Sequence, residues 1–169
     1  LPKPAARAAH PGDIAAPAQP MRRLTMALLL GAPLVVPAAA SPAGFALTDT
    51  QGRRHSLAAH AGRWVLVNLW ATWCAPCLAE MPELQALSRA RGDLVVVGVA
   101  VDGLLDEGRM ARFAARLGVT YPLVAGDMEM AAAFRARVLP TTLLFDPRGR
   151  QVLAREGRIA RRDIEAVLR

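Results

Sequence analysis

From residue 44 onward the chain alternates between unbroken apolar runs and stretches with helical periodicity. Residues 64–70 (WVLVNLW) are nearly continuously apolar and rich in β-branched side chains, which predicts a strand buried on both faces. Residues 94–101 (LVVVGVAV) predict a second such strand. Between them Met81, Leu84 and Leu87 recur on one face of a helix predicted over 75–91, which Gly92-Asp93 ends and Pro82 is expected to bend, freeing the carbonyl of Leu78. A second helix is predicted over 106–117 from the spacing of Met110, Phe113, Ala114 and Leu117. A short third one starts at Asp127 as N-cap, with Met130 and Phe134 one turn apart. The methionines here read as core filler. Residues 141–145, the turn Asp146-Pro147-Arg148-Gly149 and residues 151–155 predict a hairpin, and a last helix is predicted over 160–168. At the other end, Phe45-Ala46-Leu47 and residues 54–57 flank the turn Asp49-Thr50-Gln51-Gly52 as a short N-terminal hairpin.

Strand, helix, strand, helix, then a hairpin and a helix is an α/β arrangement: a central mixed sheet flanked by helices, with a helical insertion. The right-handed crossover rule makes the first two long strands parallel, with the intervening helix packed across them. Neither strand–helix junction carries a Gly-rich phosphate loop, so a nucleotide-binding fold has no support.

The first forty residues follow another pattern. Residues 1–20 are Ala/Pro-rich without apolar periodicity, and are expected to be an unstructured, upstream extension ahead of a translation start at Met21. Arg22-Arg23, the uncharged run 24–40 and the small residues Ala38-Ala39-Ala40 before Ser41 fit a signal peptide over 21–40, with an uncleaved membrane anchor as the alternative. The run is interrupted by Pro33 and Pro37 and falls short of the ~20 residues of a spanning helix. No cysteine stands near the boundary for lipid modification. The folded domain is expected over 41–169, outside the cytoplasm.

Composition narrows the function classes. With 53% hydrophobic and 21% charged residues among 169, a disordered or fibrous chain is excluded. The net charge of +7 comes almost wholly from arginine, since Lys3 is the only lysine. The arginines are scattered along the sequence and aromatics are only 5%, so the charge reads as solvated surface and no nucleic-acid partner is expected.

The only cysteines, Cys74 and Cys77, are too few for a disulfide framework or a structural zinc site, and His10, His55 and His60 have no ligand spacing to them. Leu78 stands where haem attachment needs His. No metal or cofactor is expected. The pair sits where a strand ends and a helix begins, so free N–H groups and the helix dipole stabilise a thiolate at Cys74. Cys77 is close enough to resolve a mixed disulfide, and Pro76 is harmless in the first turn. As a structural crosslink, a loop this short constrains the unfolded chain little. The spacing therefore points to thiol–disulfide exchange.

The segment Val67-Asn68-Leu69-Trp70-Ala71-Thr72-Trp73-Cys74-Ala75-Pro76-Cys77 resembles the thioredoxin superfamily, and within it the TlpA/ResA-like periplasmic thiol–disulfide oxidoreductases. Glu80-Met81-Pro82-Glu83-Leu84, Val138-Leu139-Pro140-Thr141-Thr142 and Phe145-Asp146-Pro147-Arg148-Gly149 extend the resemblance, which covers about residues 44–169. It implies a thioredoxin-like fold with Cys74 as the attacking and Cys77 as the resolving cysteine. It further implies a cis-proline at Pro140, which with Leu139 and Trp73 contacts an extended substrate, while Trp70 belongs to the core. Thioredoxin has a buried Asp where this chain has Asn68. TlpA/ResA-like proteins instead place a glutamate at the Glu80 position, on the helical face of Cys77, to serve the site.

The activity so implied is reduction of disulfides in partner proteins, frequently apocytochromes before haem attachment, with a membrane thiol protein as electron donor. Two alternatives remain at this point. A thiol peroxidase of the redoxin branch needs a Thr-x-x-Cys context that is lacking here. A copper chaperone typically adds a His downstream of the cysteines, whereas all three histidines precede them.

Overall fold

A computed structural model describes residues 44–103 and 106–169. The expected extension over 1–20, the signal segment over 21–40 and the boundary at Ser41 lie outside the described residues.

Elements follow one another as β1 (Ala46–Thr48), β2 (Arg54–Ser56), β3 (Trp64–Trp70), α1 (Ala75–Ala90), β4 (Leu94–Ala100), α2 (Glu107–Leu117), β5 (Leu123–Ala125), α3 (Met128–Ala133), β6 (Thr141–Phe145), β7 (Gln151–Glu156) and α4 (Arg161–Val167). β1 and β2 form a separate antiparallel hairpin; the other five strands form one sheet in the order β5-β4-β3-β6-β7. β3–β4 and β4–β5 are parallel, whereas β3–β6 and β6–β7 are antiparallel. The expected mixed sheet, N-terminal hairpin and helical insertion are all present. β5 was not expected. Its three residues, between Pro122 and Gly126, are too few to show a period of two. The same applies to the single 3₁₀ turn Ala58–His60.

Side chains alternate across β3 and divide the core between the two faces of the sheet. Leu66 and Trp70 join α1, α2 and α4 through Met81, Leu84, Leu87, Met110 and Ile164. Val65, Val67 and Leu69 join Phe45, Leu47, Phe134 and Phe145 on the hairpin and α3 side. Asn68 therefore points toward α1, an amide in an otherwise apolar stripe. α2 is anchored by Phe113, whose ring stacks on Trp70 at 5.1 Å between centroids.

Gly98 lies beside Asn68 in the parallel register. A Cβ there would meet Leu123 Cδ2 at 2.7 Å and Trp70 Nε1 and Tyr121 Cε2 at 3.1 Å. Any larger side chain would force the layer apart, so close approach fixes glycine at this position.

The hairpin closes on a buried carboxylate. Asp49 Oδ1 accepts from the backbone N–H groups of Gln51 and Arg53, and Oδ2 accepts from Arg53 Nε at 2.8 Å and His55 Nε2 at 3.0 Å. Burial alone would raise the Asp49 pKa, but the hydrogen bonds from His55, the two backbone amides and the Arg53 guanidinium outweigh it and hold the value at about 2. Because Asp49 only accepts, His55 Nε2–H donates to it, and His55 Nδ1 is paired with His60 Nε2 at 3.1 Å.

Candidate active site

α1 begins at the end of the central strand with Cys74 as its N-cap. Cys74 Sγ accepts from the Cys77 backbone N–H at 3.3 Å, one of the amides that lack a partner within the first turn. Pro76 occupies a position where no intrahelical bond is lost. Cys74 and Cys77 are joined as a disulfide, with Cα atoms 5.3 Å apart. Cys77 is fully buried and Cys74 is 5% exposed, so the attackable edge of the pair belongs to Cys74.

The rim is apolar and projects outward. Trp73 is 69% exposed although its neighbour Trp70 is entirely buried. Val138 is exposed, Leu139 is partly buried, and the Leu139–Pro140 peptide bond is cis. On the other side, Thr72 is held by its backbone N–H (2.8 Å) and its hydroxyl (2.6 Å), both donating to Asp102 Oδ2 just beyond β4. Thr72 is the hydroxyl nearest the cysteines in sequence, and it is committed to this carboxylate.

The helix that starts at the pair also carries a buried carboxylate. Glu80 follows Cys77 by three residues on α1 and has no exposed surface. Its Oε1 accepts from Asn68 Nδ2 at 2.7 Å, and its Oε2 accepts from the Ile159 backbone N–H at 3.1 Å. The same Asn68 amide group donates to Thr142 Oγ1 at 3.1 Å, its direct cross-strand partner in the antiparallel register. Burial pushes the Glu80 pKa up; the Ile159 N–H, the Asn68 amide and the positive charge of Arg158 oppose the rise without cancelling it. Tyr121 is nearby: burial first, and the Glu80 charge second, push its hydroxyl pKa up. A second carboxylate on α1, Glu83, accepts from Arg158 Nη2 at 2.7 Å and the Arg161 backbone N–H at 3.1 Å. Both carboxylates of α1 thus tie it to the segment leading into α4.

Cys74, Cys77 and Glu80 meet on one helix, while Trp73, Leu139 and Pro140 come from two segments distant in sequence. The sequence did not show the Ile159 amide, 79 residues from Glu80, nor the brace from Asp102 to Thr72. Backbone donors carry no residue-type signature, and an aspartate after a strand looks like any turn residue. The pairing of Asn68 with Glu80 was within reach, because both lay at inward positions of elements expected to pack together.

Residues 38–152 match the AhpC/TSA family. Thiol-disulfide oxidoreductase ResA of Geobacillus kaustophilus is 36% identical over 126 residues, covering 72% of this chain and 70% of that protein. ResA of Bacillus subtilis is 35% identical over 111 residues, covering 64% and 61%. Among solved structures, a DsbF homologue from Corynebacterium diphtheriae superposes with a TM-score of 0.66 at 26% identity, covering 74% of this chain and 82% of that one.

Proposed function

Because the chain belongs to the AhpC/TSA family and is a thiol-disulfide oxidoreductase of the ResA type, we propose that it works outside the cytoplasm as a reductant of disulfides in partner proteins, apocytochromes awaiting haem among them. In this reading the Cys74 thiolate attacks a partner disulfide and displaces one partner thiolate, which takes up a proton. Cys77 then loses its proton and attacks Cys74 Sγ, releasing the second partner thiolate. Two electrons pass to the partner and the chain is left with the Cys74–Cys77 disulfide. A membrane thiol protein restores the dithiol. Trp73, Leu139 and Pro140 form the apolar rim against which the partner's extended segment lies.

The observation that carries this reading is the buried Glu80 beside Cys77, held by Asn68 and Ile159. Its raised pKa suits a group that accepts the Cys77 proton during resolution and returns it when the dithiol is regenerated. It also bears on direction. Strong oxidants of the DsbA type reach about −120 mV by stabilising their reduced thiolate, whereas thioredoxin lies near −270 mV. Here Ala75-Pro76 places no histidine between the cysteines, and an ionised Glu80 opposes a thiolate at Cys77. Both favour the reducing end.

The alternative of a thiol peroxidase requires a hydroxyl beside the attacking sulfur. The hydroxyl of Thr72 donates to Asp102 instead, which counts against it.

Two measurements test the proposal. Equilibration with a glutathione buffer should give a potential below about −180 mV, the protein disulfide isomerase value; a higher one would make the protein an oxidant or isomerase. The Cys77→Ala chain, unable to resolve mixed disulfides, should retain its partners on Cys74. Recovery of apocytochromes would establish cytochrome maturation, and a broad mixture would establish general reduction.

A further inference from the structure

The arginines that look scattered in the sequence are gathered by α2 into one feature beside the disulfide. Arg109, Arg112 and Arg116 fall at i, i+3 and i+7 and share a helical face. With Phe113 and Thr72 they line an open groove of about 640 Å³. Thr72 is two residues from Cys74, so the groove adjoins the site on the side away from the cis-proline.

Among the described residues, no carboxylate pairs with Arg112 or Arg116. Like charges three and four residues apart destabilise a helix, and Arg109 lies close to the positive end of the dipole. Of the described carboxylates beside the groove, Asp102 accepts twice from Thr72 through Oδ2 while its buried Oδ1 has no hydrogen-bond partner, and Asp106 serves as N-cap through the Arg109 backbone N–H at 2.7 Å. The ion pair of Arg109 with Asp106 is 3.8 Å long, with both side chains more than half exposed, so it binds little of the charge. Arg116 lies over the Phe113 ring, 5.3 Å from its centroid. A guanidinium held over a ring by this attraction has N–H donors left for a second partner. Forked donors of this kind match carboxylates, and an occupied groove would relieve the repulsion within α2.

We propose that this groove is a specificity subsite that binds carboxylate side chains of the disulfide-bearing polypeptide while its cysteine reacts at Cys74. The proposal rests on the reading that the substrate is a polypeptide disulfide. It makes acidic residues near the target cysteine the selected feature.

The test uses the reduced Cys77→Ala chain and cystine peptides in which a Glu-Glu pair is walked along both sides of the disulfide, against matched Gln-Gln peptides. The rate of mixed-disulfide formation at low salt should favour the best-placed acidic peptide by roughly five- to tenfold, the scale of two screened ion pairs. The preference should fade at about 0.5 M salt. Adding Arg112→Glu and Arg116→Glu should abolish or invert it, read as the ratio of acidic to Gln-Gln peptide rates so that any change in the intrinsic reactivity of Cys74, followed with uncharged 4,4′-dithiodipyridine, cancels. Equal rates for acidic and neutral peptides, or a preference that survives the double charge reversal, would overturn the subsite. Failure of every peptide to form a mixed disulfide, with normal dithiodipyridine reactivity, would instead overturn the polypeptide-substrate reading and the subsite with it.

Discussion

Replacing Asn68 with leucine, a side chain of similar size, removes the donor to Glu80 Oε1 and leaves the Ile159 N–H as its remaining hydrogen bond. A hydrogen bond to a buried charged group is worth about 1.5–3 kcal/mol. That amount is lost when Glu80 is ionised and largely spared when it is protonated. Glu80 already has a pKa above its unfolded value, so the native state binds this proton more tightly than the unfolded chain does. Stability therefore falls as pH rises from the unfolded pKa to the folded one, then levels off. In Asn68→Leu the folded pKa rises further, so the fall continues to higher pH and ends about 1.5–3 kcal/mol deeper. Loss of the Thr142 contact and the change in packing add a part that does not depend on pH. Urea denaturation of the oxidised protein from pH 4 to 9, where neither thiol titrates, separates the two parts. A destabilisation that stays constant across that range would refute the reasoning, because Asn68 would then not be supporting a charge.

Two further outcomes follow from the geometry and a third from the sequence pattern ahead of Ser41. Glu80→Gln should fold, since the Asn68 amide can turn its orphaned Oδ1 toward the new amide, yet thiol–disulfide exchange should slow; a pH–rate profile matching the parent over pH 5–9 would remove Glu80 from proton transfer. Asp49→Asn should cost about 2 kcal/mol near neutral pH. The Asp49 pKa is depressed, so this contribution is present above the unfolded value and should disappear as pH falls through about 2, which acid unfolding curves would show. Protein recovered from outside the cytoplasm should begin at or near Ser41 on N-terminal sequencing, whereas membrane retention with a start at or before residue 24 would indicate an anchor instead.

The fold was legible wherever burial left a period. β3 and β4 are apolar through both faces, and α1 and α2 repeat their apolar residues at helical spacing, so each was visible within a residue or so of its ends. β5 was invisible because its pairing to β4 is a property of β4's free edge more than of its own three residues. At the site, the cysteines and Glu80 were legible because one helix carries them. What fixes Glu80 in place comes from Ile159, and what braces Thr72 comes from Asp102. Those contacts belong to chain crossings that no local pattern encodes. The arginines of α2 show the same limit: counted along the chain they are dispersed, and only the helical turn aligns them.

The alternation of β3 also implies a two-residue rhythm in how freely this segment can drift under mutation. Val65, Val67 and Leu69 pack into an apolar cluster with aliphatic and aromatic side chains on the hairpin and α3 side, so an aliphatic set of similar volume should serve there. One position over, Asn68 meets a carboxylate and a threonine, Trp70 packs on Phe113, and both abut a glycine that has no room to change. A randomised library over 65–70 selected for exchange activity should therefore return a comb: permissive teeth at 65, 67 and 69, and near-fixed identities at 68 and 70.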